Sequence, residues 1–158
     1  LTDSNPILTD VIISENTSGG MYLNYSDASL THVTISGNMA YFDSTSGGYG
    51  GGMSLSGISK ISNMLIYNNN ATGGPSGSGG YGGGALIYTG DVIIDSTKIV
   101  NNSGNSNGGG LYKWGWGSIT YNFVTIVGNT GVDGGGIYNS STANLNNVTI
   151  INNQFKYV

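Results

Sequence analysis

Asp91 and Asp95 form the closest acidic pair in the chain. Paired carboxylates suit hydrolysis of glycosidic bonds, one group donating a proton while the other activates water or attacks. Here they flank Val92-Ile93-Ile94, a short strand-like run, and both are expected at solvent-facing strand ends. His32 is the only histidine and lies between Leu30 and Val33, two positions expected to face inward, so it reads as a surface corner residue. Gly77-Ser78-Gly79-Gly80-Tyr81-Gly82 spells G-x-G-x-x-G, the pattern of turns that cradle phosphate. No strand leads into it, Pro75 stands just before it and no helix follows, so the cradle geometry is missing. The glycine-rich stretches also approach calcium-binding Gly-Gly-x-Gly-x-Asp repeats. Gly52 and Gly84, however, stand where the carboxylate is needed. The reading is therefore of a non-enzymatic chain with no catalytic residue, no cofactor and no metal.

Composition narrows the classes further. Net charge is −4, from eight acids against Lys60, Lys98, Lys113 and Lys156, with no arginine. Nucleic-acid binding draws on a basic footprint, so no nucleic-acid partner is expected. The chain has no cysteine, which removes disulfides and thiolate metal sites. No apolar run reaches the ~18 residues of a membrane span. Gly, Asn and Ser together make 69 of 158 residues, a composition that also suits a disordered linker. The 37% of hydrophobic residues nevertheless fall in regularly spaced clusters, which argues for a packed core.

Those clusters repeat. Six segments share one shape: Val11-Ile12-Ile13-Ser14-Glu15-Asn16, Val33-Thr34-Ile35-Ser36-Gly37-Asn38, Met64-Leu65-Ile66-Tyr67-Asn68-Asn69, Thr97-Lys98-Ile99-Val100-Asn101-Asn102, Val124-Thr125-Ile126-Val127-Gly128-Asn129 and Val148-Thr149-Ile150-Ile151-Asn152-Asn153. Successive final Asn residues lie 22, 31, 33, 27 and 24 apart, the pattern of a fixed coil carrying loops of different length. A glycine pair and an apolar residue precede each segment from the second onward: Gly19-Gly20-Met21, Gly51-Gly52-Met53, Gly83-Gly84-Ala85, Gly109-Gly110-Leu111 and Gly135-Gly136-Ile137. A third apolar column falls five residues before each Ile: Leu8, Leu30, Ile61, Ile94, Tyr121 and Leu145.

Residues 1–158 are thus expected to form one all-β domain, a right-handed parallel β-helix of about six coils with three short strands per coil. Identical residues recur once per circuit, so they stack in parallel about 4.8 Å apart. Ile13, Ile35, Ile66, Ile99, Ile126 and Ile150 become a buried ladder, at roughly 1.5–3 kcal/mol for each fully buried side chain. Asn16, Asn38, Asn69, Asn102, Asn129 and Asn153 occupy a corner, where Asn tolerates left-handed geometry and its amide reaches backbone or the next Asn. Alternation puts Val33 and Ile35 inside with Thr34 outside, and Met21 and Leu23 inside with Tyr22 outside.

The glycine-pair and aliphatic-x-x-Asn elements resemble repeats of right-handed β-helix surface proteins, including chlamydial polymorphic membrane proteins and autotransporter-like passengers. Gly83-Gly84-Ala85-Leu86 is similar to their Gly-Gly-Ala-Ile, and Ile35-Ser36-Gly37-Asn38 to their Phe-x-x-Asn with Ile for Phe. The resemblance implies extracellular or cell-surface display. β-Helices also include pectin-degrading enzymes, but the Asn-Thr-Asp, Asp-Asp, Gly-His-Gly and Arg-Ile-Lys signatures of polygalacturonases are absent from the sequence.

Outward aromatics are the remaining candidate for function. The position after each glycine-led apolar residue reads Tyr22, Ser54, Leu86, Tyr112 and Tyr138, with Tyr25, Tyr88, Trp114 and Trp116 close by. A seven-residue duplication, Ser46–Gly52 and Ser78–Gly84, places Tyr49 beside Tyr81 on neighbouring coils. Tyr22, Tyr49, Tyr81, Leu86, Tyr112, Trp114, Trp116 and Tyr138 are thus the candidate interface, for a protein partner or for sugar rings. The outward column Ile12, Thr34, Leu65, Lys98, Thr125 and Thr149 is too interrupted for the flat threonine array of an ice-binding face. Six Asn-x-Ser/Thr sequons, at Asn16, Asn24, Asn70, Asn101, Asn139 and Asn147, are open to glycosylation in a secreted setting. A solenoid needs its ends covered, and no amphipathic helix is legible at either. Either the chain is a piece of a longer passenger, or copies cap one another. The leading expectation is a secreted structural protein stacking head to tail into a filament or surface array. An adhesin or carbohydrate-binding passenger module comes second, and a polysaccharide-active enzyme third.

Overall fold

The computed structural model describes residues 1–41, 50–73 and 79–157. They form an all-β solenoid without helices, built from four parallel sheets of five or six strands. One sheet carries the Ile column: Ile12–Ser14, Thr34–Ser36, Leu65–Tyr67, Lys98–Val100, Thr125–Val127 and Thr149–Ile151. Its register sets Ile13, Ile35, Ile66, Ile99, Ile126 and Ile150 directly over one another, as the sequence requires. A second sheet holds Ile7–Thr9, Ser29–Thr31, Ser59–Ser62, Val92–Asp95, Ile119–Asn122 and Ala143–Asn146, and it aligns the column from Leu8 to Leu145. The third is the glycine-led sheet, Met21–Leu23, Met53–Leu55, Ala85–Ile87, Leu111–Lys113 and Ile137–Asn139.

The fourth sheet corrects the expectation of three strands per coil. Met39–Tyr41, Asn70–Thr72, Ser103–Gly104, Thr130–Gly131 and Gln154–Phe155 pair in parallel just after each ladder Asn. These strands lack the aliphatic signature because space forbids it. A Cβ on Gly51 would meet the carbonyl of Asn70 at 2.5 Å, so the glycine pair lies flat against this sheet and Ala40, Ala71, Gly104 and Gly131 fill its inward column, which ends in the exposed Phe155 of the last coil. Close backbone approach, more than positive φ, is what the pairs supply.

Two columns of left-handed residues turn the corners. Asp10, His32, Asn63, Ser96, Phe123 and Asn147 have φ of 46 to 56° and precede the Ile sheet. Glu15, Gly37, Asn68, Asn101, Gly128 and Asn152, with φ of 53 to 69°, follow it. The left-handed turn expected at the ladder Asn therefore sits one residue earlier, which leaves the ladder Asn free to bond along the axis. Inside, Leu30, Val33, Ile35, Ile61, Ile66, Ile94, Ile99, Ile119 and Ile126 are at most 1% exposed. The same columns open at one end, where Leu145 is 51% and Ile150 45% exposed.

Candidate functional site: the Asn ladder and the aromatic face

Each ladder Asn bonds along the axis in one direction. Its backbone N–H and its Nδ2 both donate to Oδ1 of the next Asn, from Asn16 (3.1 and 2.7 Å) through Asn38 (3.0 and 3.0 Å), Asn69 (2.9 and 3.0 Å) and Asn102 (2.9 and 3.0 Å) to Asn129 (2.9 and 2.9 Å). Nδ2 also donates backward to the Ile carbonyl of the preceding coil, as Asn69 does to Ile35 at 2.9 Å and Asn102 to Ile66 at 3.0 Å. Asn38, Asn69, Asn102 and Asn129 are buried, so these bonds satisfy groups that water does not reach. The ladder has a polarity: Oδ1 faces the N-terminal edge and the donors face the C-terminal edge.

The aromatic face is less open than the alternation of the strand implies. Tyr22 is 48% exposed, but Leu86 and Tyr112 are buried, which corrects their assignment to a solvent-facing stripe. The glycine arm ahead of each strand doubles back over it: a Cβ on Gly108 would fall 2.8 Å from Tyr112 Cα, and one on Gly82 2.7 Å from Leu86 N. Tyr81, on the same arm, stacks on Tyr112 (ring centroids 5.0 Å apart), and Tyr138 packs on its other side at 5.1 Å. Burial between these phenols, with their own hydroxyls adding to it, pushes the Tyr112 hydroxyl above the ordinary tyrosine value. Tyr49 lies outside the described residues, as do Ser46 and Ser78, so the juxtaposition of the duplicated loops is not described.

A second aromatic group lies at the next corner. Trp114 and Tyr88 meet edge to face at 5.0 Å, both near half exposed, and Trp116 is 72% exposed. A residue that the stripe reading missed holds this loop. Lys113 is wholly buried in the inward column Leu23, Leu55, Ile87, Lys113 and Asn139. Its Nζ donates to the carbonyls of Trp114 (3.3 Å) and Trp116 (3.1 Å), and Trp116 O also accepts the N–H of Gly90 in the preceding coil. Burial pulls its ammonium below the ordinary lysine value, opposed by the charge of Asp91. The signal was legible: alternation from Leu111 puts Lys113 inside.

The polar candidates are spent on corners. Asp91 Oδ1 accepts the Ser118 N–H at 2.7 Å and the Ser118 hydroxyl at 2.9 Å, bonds that hold its carboxyl below the ordinary value. Such a carboxylate stays ionised and is a poor proton donor. Asp95 accepts the hydroxyl of its neighbour Ser96 at 2.5 Å. His32, left-handed and 58% exposed at its side chain, lies 3.4 Å from Asp10, the residue beneath it in the corner column. No group of three His, Asp or Glu side chains placed to hold a metal occurs among the described residues. No helix among them is long and apolar enough to cross a membrane.

Comparison with protein-family models, curated proteins and solved structures returns no match. Of what the repeats imply, the structure shows the parallel, repeating solenoid.

Proposed function

We propose that the chain is a right-handed β-helix of about six coils that acts as a non-catalytic structural subunit, copies stacking head to tail outside the cell or on its surface. Right-handedness is the rule for parallel crossovers. The polarity of the Asn ladder carries the stacking. The N-terminal edge presents Oδ1 of Asn16, and the C-terminal edge presents the N–H and amide of Asn153, which extends the ladder from Asn129. A second copy set with Asn16 on Asn153 continues that ladder, and the same placement lays Leu8 on Leu145 and Ile13 on Ile150. It would cover apolar groups left open at that edge and pair strands that otherwise offer free N–H and C=O groups. Because every sheet is parallel, the two ends differ, so the contact is heterologous and extends without closing.

Electron microscopy and sedimentation of the purified chain test this. Unbranched filaments with an axial repeat of about 29 Å, six coils at ~4.8 Å, are expected, and Leu145→Lys should dissolve them into folded monomers. Monodisperse monomers of the unaltered chain at high concentration would overturn the reading. The clustering of Tyr88 with Trp114 and of Tyr81 with Tyr112 and Tyr138 favours a second reading, an adhesive or carbohydrate-binding module.

A further inference from the structure

The outer surface of the glycine-led sheet has a gap of one coil. Its central column reads Tyr22, Ser54, Leu86, Tyr112 and Tyr138. The next position along the chain reads Asn24, Ser56, Tyr88, Trp114 and Ser140, bonded coil to coil through their backbones. In the second coil both positions are serine, whereas the coils on either side carry Tyr22 and Asn24, with Tyr25 next in the chain, or Leu86 and Tyr88. The result is a cleft of about 220 Å³ with Tyr22, Asn24 and Tyr25 on one wall, Leu86 and Tyr88 on the other, and Ser54 and Ser56 between. We propose that this cleft is a binding slot for a single neutral sugar ring.

Spacing, chemistry and charge all point to that occupant. The two walls belong to coils two steps apart, about 9.6 Å at ~4.8 Å per step. A flat ring midway would lie about 4.8 Å from each wall, within the ~4.5–7 Å at which rings stack. A sugar ring offers C–H faces to aromatic walls and hydroxyls at its rim. The serine hydroxyls and the Asn24 amide are the matching donors and acceptors. Ser56 is already oriented by a 3.3 Å contact between its Oγ and the Thr89 hydroxyl. Tyr88 is braced from the far side by Trp114, so its ring is ordered before a ligand arrives. None of the residues lining the cleft is acidic or basic, and the chain's net charge of −4 repels anions. A neutral hexose fits; a uronic or sialic acid does not.

Saturation-transfer NMR and titration calorimetry with methyl α-glucoside, methyl α-mannoside and methyl β-galactoside test the slot, with methyl β-glucuronide as the charged control. At least one neutral glycoside should bind, with a Kd on the order of 1 mM, and the glucuronide should not. Tyr88→Ala should weaken that binding at least about tenfold. Phe123→Ala, which alters an exposed aromatic outside the cleft, should leave it unchanged, and circular dichroism checks that both variants stay folded. Tyr25→Ala repeats the test on the opposite wall. Failure of all three neutral glycosides to bind overturns the proposal. So does loss of binding in Phe123→Ala with Tyr88→Ala unaffected, and so does a response to N-acetyltryptophanamide alone, which would assign the slot to an aromatic peptide side chain.

Discussion

Two inward columns of the same solenoid follow opposite rules. At the Ile corner the chain places Ile, then Asn three residues later, in every one of six segments. On the glycine-led sheet the inward column runs Leu23, Leu55, Ile87, Lys113 and Asn139, changing chemistry partway along. The first column is tied coil to coil, since each Asn satisfies groups belonging to three coils, so one altered residue disturbs its neighbours. The second column is packed side chain by side chain, and a local need, such as fixing the carbonyls of Trp114 and Trp116, can be met there without disturbing the stack. Identity along a column marks what holds the solenoid together, and variation marks where it can specialise.

The sharpest way to break that contrast is Asn69→Ala. The substitution orphans the buried N–H of Asn38, takes from its Nδ2 one of two acceptors, and removes the Nδ2 bonds to the carbonyl of Ile35 and to Oδ1 of Asn102, which keeps the backbone N–H of residue 69. At about 1 kcal/mol for each lost bond, with more where a buried donor stays unpaired, the cost should be about 3 kcal/mol or greater. Urea denaturation followed by circular dichroism measures it. A loss below about 1 kcal/mol would show that the ladder is decoration. The same change at the exposed end residue Asn16 should cost much less, because water replaces the lost partner.

Legibility in the sequence divides along the same line. The Ile, Leu8-to-Leu145 and glycine-led columns were each readable, and the structure keeps their registers, because a residue that must recur at one place in every circuit leaves a period. The fourth sheet left none: before the last coil its inward residues are Ala or Gly, chosen by the nearness of Gly51 and its equivalents, and smallness is not distinctive in a glycine-rich chain. The left-handed turns were misplaced by one residue because Asn68, Asn101 and Asn152 put a second Asn beside the ladder Asn. On the aromatic face, alternation gave the right side of the strand for Leu86 and Tyr112. It could not give their burial, which depends on an arm arriving from earlier in the chain. The slot at Ser54 and Ser56 escaped notice because it consists of two small residues where neighbours are large.

Tyr121 sharpens the comparison from within a repeating column. It stands between Ile94 and Leu145, is 1% exposed, and its hydroxyl has no partner. Tyr121→Phe should stabilise the protein by about 1–2 kcal/mol, because it removes a buried, unbonded polar group while keeping the ring. Burial also pushes the phenol well above the ordinary value of 10.0. Above pH 10 the unfolded chain ionises this tyrosine while the folded chain keeps it protonated, so stability falls as pH rises. Tyr121→Phe should flatten that alkaline limb in thermal melts. Equal limbs in the two proteins would mean that the hydroxyl reaches water.

Lys113→Met should have the smallest effect on stability and a distinct effect elsewhere. Met fills the column as Leu55 and Ile87 do, so the loss of two bonds to carbonyls is offset by no longer burying an ammonium, and the net change at neutral pH should stay under about 1 kcal/mol. The pH dependence should change in sign-specific fashion. Burial makes the folded state hold this proton less tightly than the unfolded chain, whose lysine titrates near 10.5. As pH rises toward that value the unfolded chain retains the proton longer, so Lys113 makes the native protein gain stability with pH; the Met variant should lack that gain. Trp114 and Trp116 lose the anchor of their carbonyls, so tryptophan emission should shift and acrylamide quenching should rise, although the solenoid's melting transition barely moves. A collapse in stability comparable to that of Asn69→Ala would place Lys113 among the residues that hold the stack together and erase the distinction between the two columns.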